Sequence, residues 1–177
     1  MLHLCYRTLI VALLMIGHLN AEEKPGLWAA QETAALAAVD AYIGAFNARD
    51  ARAFVDALHY PHMRVDGLGN PRYWANAEDY FKEVEFDTVQ GTGWSHSRYD
   101  YKKVVQSGRH KVHVLVSFTR YKRGDKPMHT QESLYVVTEH GGRWAIQVRS
   151  SYVEQVMQDQ CIGAIAAECA RLSLIHI

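Results

Sequence analysis

The strongest pattern in the chain is a series of four strand-like runs within residues 94–152. Each run is rich in β-branched and aromatic residues and ends near a turn signal, such as Gly124 or Gly141-Gly142. The runs cover residues 95–105, 109–121, 131–139 and 143–152. Because the links between them are short enough for hairpins, they predict an antiparallel meander.

Alternation of apolar and polar residues predicts which face of two of these strands is buried. In the run 109–121 the apolar face ends at Arg120 and consists of Val112, Val114, Val116 and Phe118. In the run 143–152 the face predicted to be buried consists of Trp144, Ile146, Val148 and Ser150. The opposite face of that last run, which includes Arg149, is predicted to meet solvent or a second copy of the chain.

An amphipathic helix is predicted before the strands, over residues 28–48, where apolar residues recur at steps of three and four among many alanines. Asp50 and Asn76 have the residue types of N-caps, and they predict two shorter helices at 51–58 and 77–86. Pro61 lies between these helices and favours extended chain. Short strands are therefore predicted at residues 63–66 and 73–74.

Length and charge narrow the class of protein. The chain has 177 residues, which suits one domain with a core of its own. Lys plus Arg and Asp plus Glu both total 19, so the formal net charge is zero. Without a basic surplus, neither nucleic acid nor an anionic membrane is an expected partner. A small molecule or another protein is expected instead.

The N-terminus has the pattern of a secretory signal over residues 1–21. Arg7 is the only charged side chain before an apolar run at 9–19, and Ala21 ends a small-residue site. The pattern predicts cleavage after Ala21 and a secreted or periplasmic protein. The alternative is a retained membrane anchor, but the apolar run is shorter than the roughly 20 residues that cross a bilayer, so stable insertion is not expected.

The C-terminal tail, residues 157–177, contains Cys161 and Cys169. These cysteines could pair in an oxidising compartment, but eight helical positions span about 12 Å, so pairing requires a break near Gly163. The last six residues, 172–177, match one reading frame of a widely used sequencing adapter, which predicts a different native C-terminus; the alternative is an ordinary apolar tail.

The order of elements resembles that of the nuclear transport factor 2-like, or SnoaL-like, superfamily. Two motifs carry the resemblance: residues 141–147 (GGRWAIQ) and the corner Ala45-Phe46-Asn47-Ala48-Arg49-Asp50. It covers residues 32–153 and places one domain at 22–156. The resemblance implies an α+β fold in which a cone-shaped, strongly curved antiparallel sheet wraps a long N-terminal helix and two shorter helices. Such a cone leaves a cavity open at one end.

The resemblance does not fix an activity, because the superfamily contains isomerases, dehydratases, cyclases, epoxide hydrolases and non-catalytic modules. It implies a small, largely apolar organic ligand in the cavity, bound without a cofactor. Acid/base chemistry of the isomerase, dehydratase or hydrolase type stays open. The alternative is a non-catalytic dimerisation or accessory module that uses the outer sheet face around Leu115 and Tyr121. A homodimer is expected under either interpretation.

His62 and His96 are the candidates for acid/base catalysis, since imidazole titrates near neutral pH. The competing interpretation is that both are surface or hydrogen-bonded structural histidines, as expected for some of the ten histidines in the chain. Asp66 and Asp100 are the nearest carboxylates in sequence. Solvation at a turn or a sheet edge explains both aspartates equally well.

Arg64, Arg120 and Arg149 are candidates for binding an anionic group through paired hydrogen bonds. Arg120 is in phase with the buried face of its strand, and an inward arginine needs a partner. Glu132 on the next strand is the natural one, so a structural ion pair competes with a ligand contact. The aromatic candidates for the cavity mouth are Tyr60, Trp74 and Trp94. Packing in the core would explain each of them equally well.

No metal or cofactor is expected. His59 and His62 are three positions apart, as are His110 and His113. On a strand this spacing points the two side chains to opposite faces, and no cysteine lies near either pair. The chain also lacks a Gly-x-Ser-x-Gly elbow, a Walker loop and a dinucleotide fingerprint. Serine nucleophiles, nucleotide hydrolysis and Rossmann-type redox chemistry are therefore disfavoured.

Overall fold

Three helices and six strands make up residues 26–87 and 92–152, the part of the chain that a computed structural model describes. The helices are α1 (Ala29–Ala48), α2 (Ala51–Asp56) and α3 (Ala77–Phe81). The strands are β1 (Leu58–Val65), β2 (Pro71–Trp74), β3 (Trp94–Ser107), β4 (Lys111–Lys122), β5 (Lys126–His140) and β6 (Arg143–Ser151). No helix in these ranges is long and apolar enough to cross a bilayer. The predicted signal at 1–21 and the predictions for Cys161, Cys169 and residues 172–177 lie outside the described residues.

The strands form one open sheet in the order β2-β1-β6-β5-β4-β3. Strands β3 to β6 are the predicted antiparallel meander, in which each strand pairs with the next along the chain. The sheet is nevertheless mixed, because β1 runs parallel to β6, and it is not strongly curled. The expectation of a cone-shaped, strongly curved and wholly antiparallel sheet is therefore corrected. Pairing between β1 and the last strand is remote in sequence, so local patterns do not reveal it.

Helix α1 confirms the predicted helix and covers one face of the sheet, the inner face. Its residues Val39, Tyr42 and Phe46 belong to the hydrophobic core. The predicted inward valines of β4 are in the same core with no exposed surface: Val112, Val114 and Val116. Burying an apolar side chain of this size contributes about 1.5 to 3 kcal/mol. The contact between α1 and the meander therefore supplies much of the core.

The two short helices end earlier than predicted. Helix α2 ends at Asp56 because Leu58 already pairs with Ile146 in the sheet. Helix α3 ends at Phe81, although Val84 still packs on the core. The predicted caps are present in both helices: each capping side chain accepts a hydrogen bond from a backbone N–H in the first turn.

The corner at the end of α1 fastens this helix to the edge strand β3. The Asn47 side-chain amide donates to the Ser97 carbonyl and accepts from the Ser97 N–H, both at 2.8 Å. Phe46 packs in the core beside it, and the Asp50 carboxylate accepts from the Ala53 N–H at 2.9 Å. The motif that carried the resemblance therefore has a structural role here.

A β-bulge in β6 changes which residues face α1. Two consecutive residues of β5, Val136 and Val137, pair with Val148 and Ile146, so Gln147 has no partner in the ladder. An extra residue shifts the two-residue alternation by one position. Every side chain after the bulge therefore points to the face opposite the one predicted.

The predicted burial pattern is wrong for the end of β6. Arg149 pairs with the buried Tyr135 and is 5% exposed, so it lies on the inner face. Val148 and Ser150, predicted to be buried against the helix, share the outer face with their ladder partners. Ser151 returns to the inner face and is also buried.

Candidate functional site

A cavity lies between α1 and the inner face of the sheet. Its volume is about 40 Å³. Most of its wall is aromatic or aliphatic, contributed by α1, β3, β4 and β5: Tyr42, Ile43, Phe46, Tyr99, Phe118 and Tyr135. The remaining wall is polar and consists of three arginines and the two serines Ser97 and Ser151.

The three arginines of the wall are Arg64, Arg120 and Arg149, which come from β1, β4 and β6. They are 2%, 4% and 5% exposed. Arg64 and Arg149 occupy partner positions of the parallel pair β1 and β6, so they lie side by side. None of the described residues that line the cavity is Asp or Glu. The structure thus brings together all three arginines that the sequence proposed for an anion.

Arg149 is held by neutral groups. Its Nε donates to His62 Nε2 at 3.2 Å, and its terminal nitrogens donate to the Tyr42 hydroxyl and, at 2.8 Å, to the Tyr80 hydroxyl. Burial by itself would lower the pKa of Arg149, but the Tyr42, Tyr80 and Tyr135 hydroxyls raise it above its usual value. The guanidinium is therefore a positive charge buried among uncharged partners.

His62 lies behind Arg149 rather than in the cavity wall. It is completely buried, and its ring stacks near Trp74 and Tyr80 at centroid distances of 5.8 and 5.9 Å. Burial, and then the charge of Arg149, lower the pKa of His62 to about 2. A general base works best with a pKa near the operating pH. Neutral His62 is thus suited to accept a hydrogen bond from Arg149 and poorly suited to move protons near neutral pH.

His96 is on the other side of the sheet. Its neighbour Ser97 lines the cavity, so the His96 side chain points to the outer face. There its ring stacks on Tyr121 with the centroids 5.1 Å apart, and its Nε2 lies 3.3 Å from an Asp125 carboxylate oxygen. The structure therefore does not bring His62 and His96 together.

The three aromatic candidates pack in or against the core. Trp74 stacks on Tyr80 at 4.2 Å, and Trp94 packs on Phe46 at 4.8 Å, measured between ring centroids. The hydroxyl of Tyr60 donates to a backbone carbonyl of α2. Among the described residues, the cavity is lined by other aromatic rings, which come from α1 and from the inner faces of β3 to β5.

Glu132 and Arg120 lie on opposite faces of the sheet. Glu132 pairs in register with Ser117 and accepts a hydrogen bond from the Tyr101 hydroxyl on the outer face. Arg120 is opposite His129 in the ladder of β4 and β5. Burial, and then the charge of Arg120, lower the pKa of His129 to about 4. The predicted ion pair between Glu132 and Arg120 is therefore wrong. Glu132 is an odd number of residues from His129, the partner of Arg120, so its side chain points to the opposite face of the sheet.

Carboxylates and histidines elsewhere do not form a metal centre within the described residues. Asp66 accepts from backbone N–H groups in its turn, and Asp100 accepts from the Ser117 and Thr119 hydroxyls on the outer face. No group of three or more His, Cys, Asp or Glu side chains in residues 26–87 and 92–152 could hold an ion.

Two buried polar residues of β5 are not among the candidates that the sequence pattern predicts. Gln131 is 3% exposed, and neither its amide oxygen nor its amide nitrogen has a hydrogen-bond partner among the described residues. Ser133 is 2% exposed, and its hydroxyl likewise has no partner in those ranges. They pair in register with Phe118 and Val116, so both belong to the inner face. The alternation of β5 could have predicted their burial, since Gln131, Ser133 and the buried Tyr135 are two residues apart on this strand.

Comparison with known proteins identifies the fold. No protein-family model and no curated protein sequence matches the chain. Solved structures do match it. One is a protein of unknown function with a cystatin-like fold from Nostoc punctiforme. It is 12% identical, the match covers 70% of this chain and 90% of that chain, and the TM-score is 0.57. An NTF-2 like protein of unknown function from Shewanella oneidensis is 13% identical over 68% and 98%, with a TM-score of 0.54.

A third match is a ketosteroid isomerase-like protein from Erwinia carotovora atroseptica, 16% identical over 67% of this chain and 92% of that chain, with a TM-score of 0.50. Such low identities establish the fold alone. The chain has the nuclear transport factor 2-like fold, as its sequence resemblance implied.

Proposed function

We propose that this protein binds a small organic molecule in the cavity between α1 and the inner face of the sheet. The observation that carries the proposal is the composition of the wall, which combines aromatic rings with three buried arginines. Ligand sites in proteins are typically apolar concave spaces with a few convergent polar groups. The fold supports it further, since one structural neighbour is named for its likeness to an isomerase of steroids.

The apolar part of the ligand meets rings from three elements. Phe46 comes from α1, Tyr99 from β3 and Phe118 from β4. Removing about 100 Å² of apolar ligand surface from water contributes about 2.5 kcal/mol. This contribution favours an apolar body over a polar chain.

Binding is better supported than acid/base catalysis. His62 has a pKa of about 2 and already accepts a hydrogen bond from Arg149. Burial raises the pKa of Tyr42 and Tyr135, so their hydroxyls stay protonated and serve as hydrogen-bond donors. Isomerase, dehydratase or hydrolase chemistry in this cavity would have to proceed without His62 as its general base.

The binding proposal can be tested with a small neutral probe, benzamide, followed by ligand-observed NMR. Ile43 lines the cavity, and Ile43→Trp adds a ring that occupies part of the space. Saturation transfer to benzamide is expected with the wild-type protein and is expected to disappear in Ile43→Trp. The matched control is Val105→Trp at an exposed position of β3, which should leave the signal unchanged. Absence of transfer in the wild type, or equal transfer in Ile43→Trp, would contradict binding in this cavity.

A second candidate function is homodimerisation through the outer sheet face. Leu115 and Leu134 are direct partners in the β4 and β5 ladder on that face. Leu134 is 36% exposed. We propose a second copy of this chain as the occupant, since exposed apolar side chains on a sheet face often mark a contact between subunits. Cavity binding and dimerisation use opposite faces, so the two proposals are compatible.

A further inference from the structure

We propose that the ligand of the cavity is a small organic carboxylate and that Arg149 binds its anionic group, an inference that rests on the proposed binding function. The polar end of the ligand would lie against the β6 side of the cavity, and its apolar body would lie against the aromatic wall. No acid/base step is required for this recognition.

The charge of Arg149 is the first reason. The side chain is 5% exposed, and its three hydrogen-bond acceptors are two hydroxyls and a neutral imidazole. A buried ion whose hydrogen-bond partners are all neutral is costly unless an opposite charge joins it. A carboxylate in the cavity that Arg149 lines would supply that charge.

The remaining donors of Arg149 fit the shape of a carboxylate. A guanidinium has five N–H groups, and three of them are used by His62, Tyr42 and Tyr80. Each terminal nitrogen therefore has one N–H that these three bonds do not use. Two adjacent N–H groups match the two oxygens of a carboxylate in a bidentate pair.

The partners of Arg149 also hold it in position. Tyr80 and His62, which do not line the cavity, hold the guanidinium through hydrogen bonds. The guanidinium carbon also lies 5.1 Å from the centre of the Tyr42 ring. A donor group fixed before the ligand arrives loses little entropy on binding.

Gln131 and Ser133 are two further polar residues on the inner face of the sheet, next in the ladder to β4. Both are more than nine-tenths buried, and their side-chain polar atoms have no partner within the described residues. Gln131 is directly opposite the cavity residue Phe118 in the ladder. Buried polar groups are nearly always hydrogen-bonded. Neither side chain lines the cavity itself, so they mark the inner face beside it as polar, and the carboxylate inference rests on Arg149.

The decisive measurement compares benzoate with benzamide, which have the same ring but differ in charge. Titration calorimetry or NMR titration at pH 7.5 should show that benzoate binds the wild-type protein about tenfold to a hundredfold more tightly. Equal affinities would overturn the carboxylate inference while leaving the proposed binding function intact. Failure of both probes to bind would overturn both.

Variants of Arg149 test whether this residue causes the preference for benzoate over benzamide. Arg149→Met should remove the preference for benzoate and keep the affinity for benzamide within about threefold. The matched control is Arg98→Met, because Arg98 is an exposed arginine that pairs with Asp125 on the outer face; it should keep the preference. If circular dichroism shows that Arg149→Met is unfolded, Arg149→Lys keeps the charge without the fork and should lower the preference several-fold. Retention of the full preference in the folded variant would overturn the role of Arg149.

Discussion

Replacing His62 by Gln is expected to make folding less sensitive to acid. The pKa of His62 is lowered from 6.5 to about 2 in the folded protein, first by burial and then by the Arg149 charge. The unfolded chain therefore takes up a proton at this residue below about pH 6.5, whereas the folded protein does not. Stability supplied by neutral His62 is present above pH 6.5 and is lost progressively as the pH falls toward 2.

The size of the effect follows from the linkage relation. Each pH unit between the two pKa values changes the free energy of unfolding by about 1.4 kcal/mol per proton. Between pH 7 and pH 5 the contribution of His62 amounts to about 2 kcal/mol. His59 and His129 also have lowered pKa values, about 4 each, but they are present in both proteins and cancel in the comparison.

The assay is urea unfolding of wild type and His62→Gln at pH 7 and at pH 5. Glutamine keeps an oxygen that can accept from Arg149, so the variant is expected to fold. The loss of unfolding free energy between the two pH values should be about 2 kcal/mol smaller in the variant. Phe54→Leu is the control, because it alters a fully buried ring without changing a titrating group; its pH dependence should equal that of the wild type. Equal losses in His62→Gln and wild type would refute the assignment.

Two further predictions concern the corner of α1 and the outer sheet face. Asn47→Ala removes both hydrogen bonds to the Ser97 backbone and should lower the free energy of unfolding by about 2 kcal/mol, as measured by urea unfolding; a loss within error of zero would contradict the fastening role. Leu134→Glu should convert a dimer into a monomer in light scattering coupled to gel filtration. Val105→Glu, an exposed position of β3, should leave the mass unchanged, and a monomeric wild type would contradict the dimer.

Local patterns predicted most of the elements and part of the site. The steps of three and four in α1, the caps Asp50 and Asn76, and the apolar alternation of β4 depend only on neighbouring residues, and the structure confirms all of them. Arg120 was correctly placed on the inner face for the same reason. Nothing local distinguished a histidine in the core from one on the outer face, so His62 and His96 were proposed together although the sheet separates them.

The long helix, the antiparallel meander and the inward arginine at the end of β4 can be predicted locally, because each follows from the period of its own segment. The parallel pairing of β1 with β6 and the extra residue Gln147 in the bulge depend on contacts between distant segments. Strand pairing between distant segments fixes the register, and a single unpaired residue reverses the face of every side chain after it. That reversal places Arg149 beside Arg64 in the cavity wall.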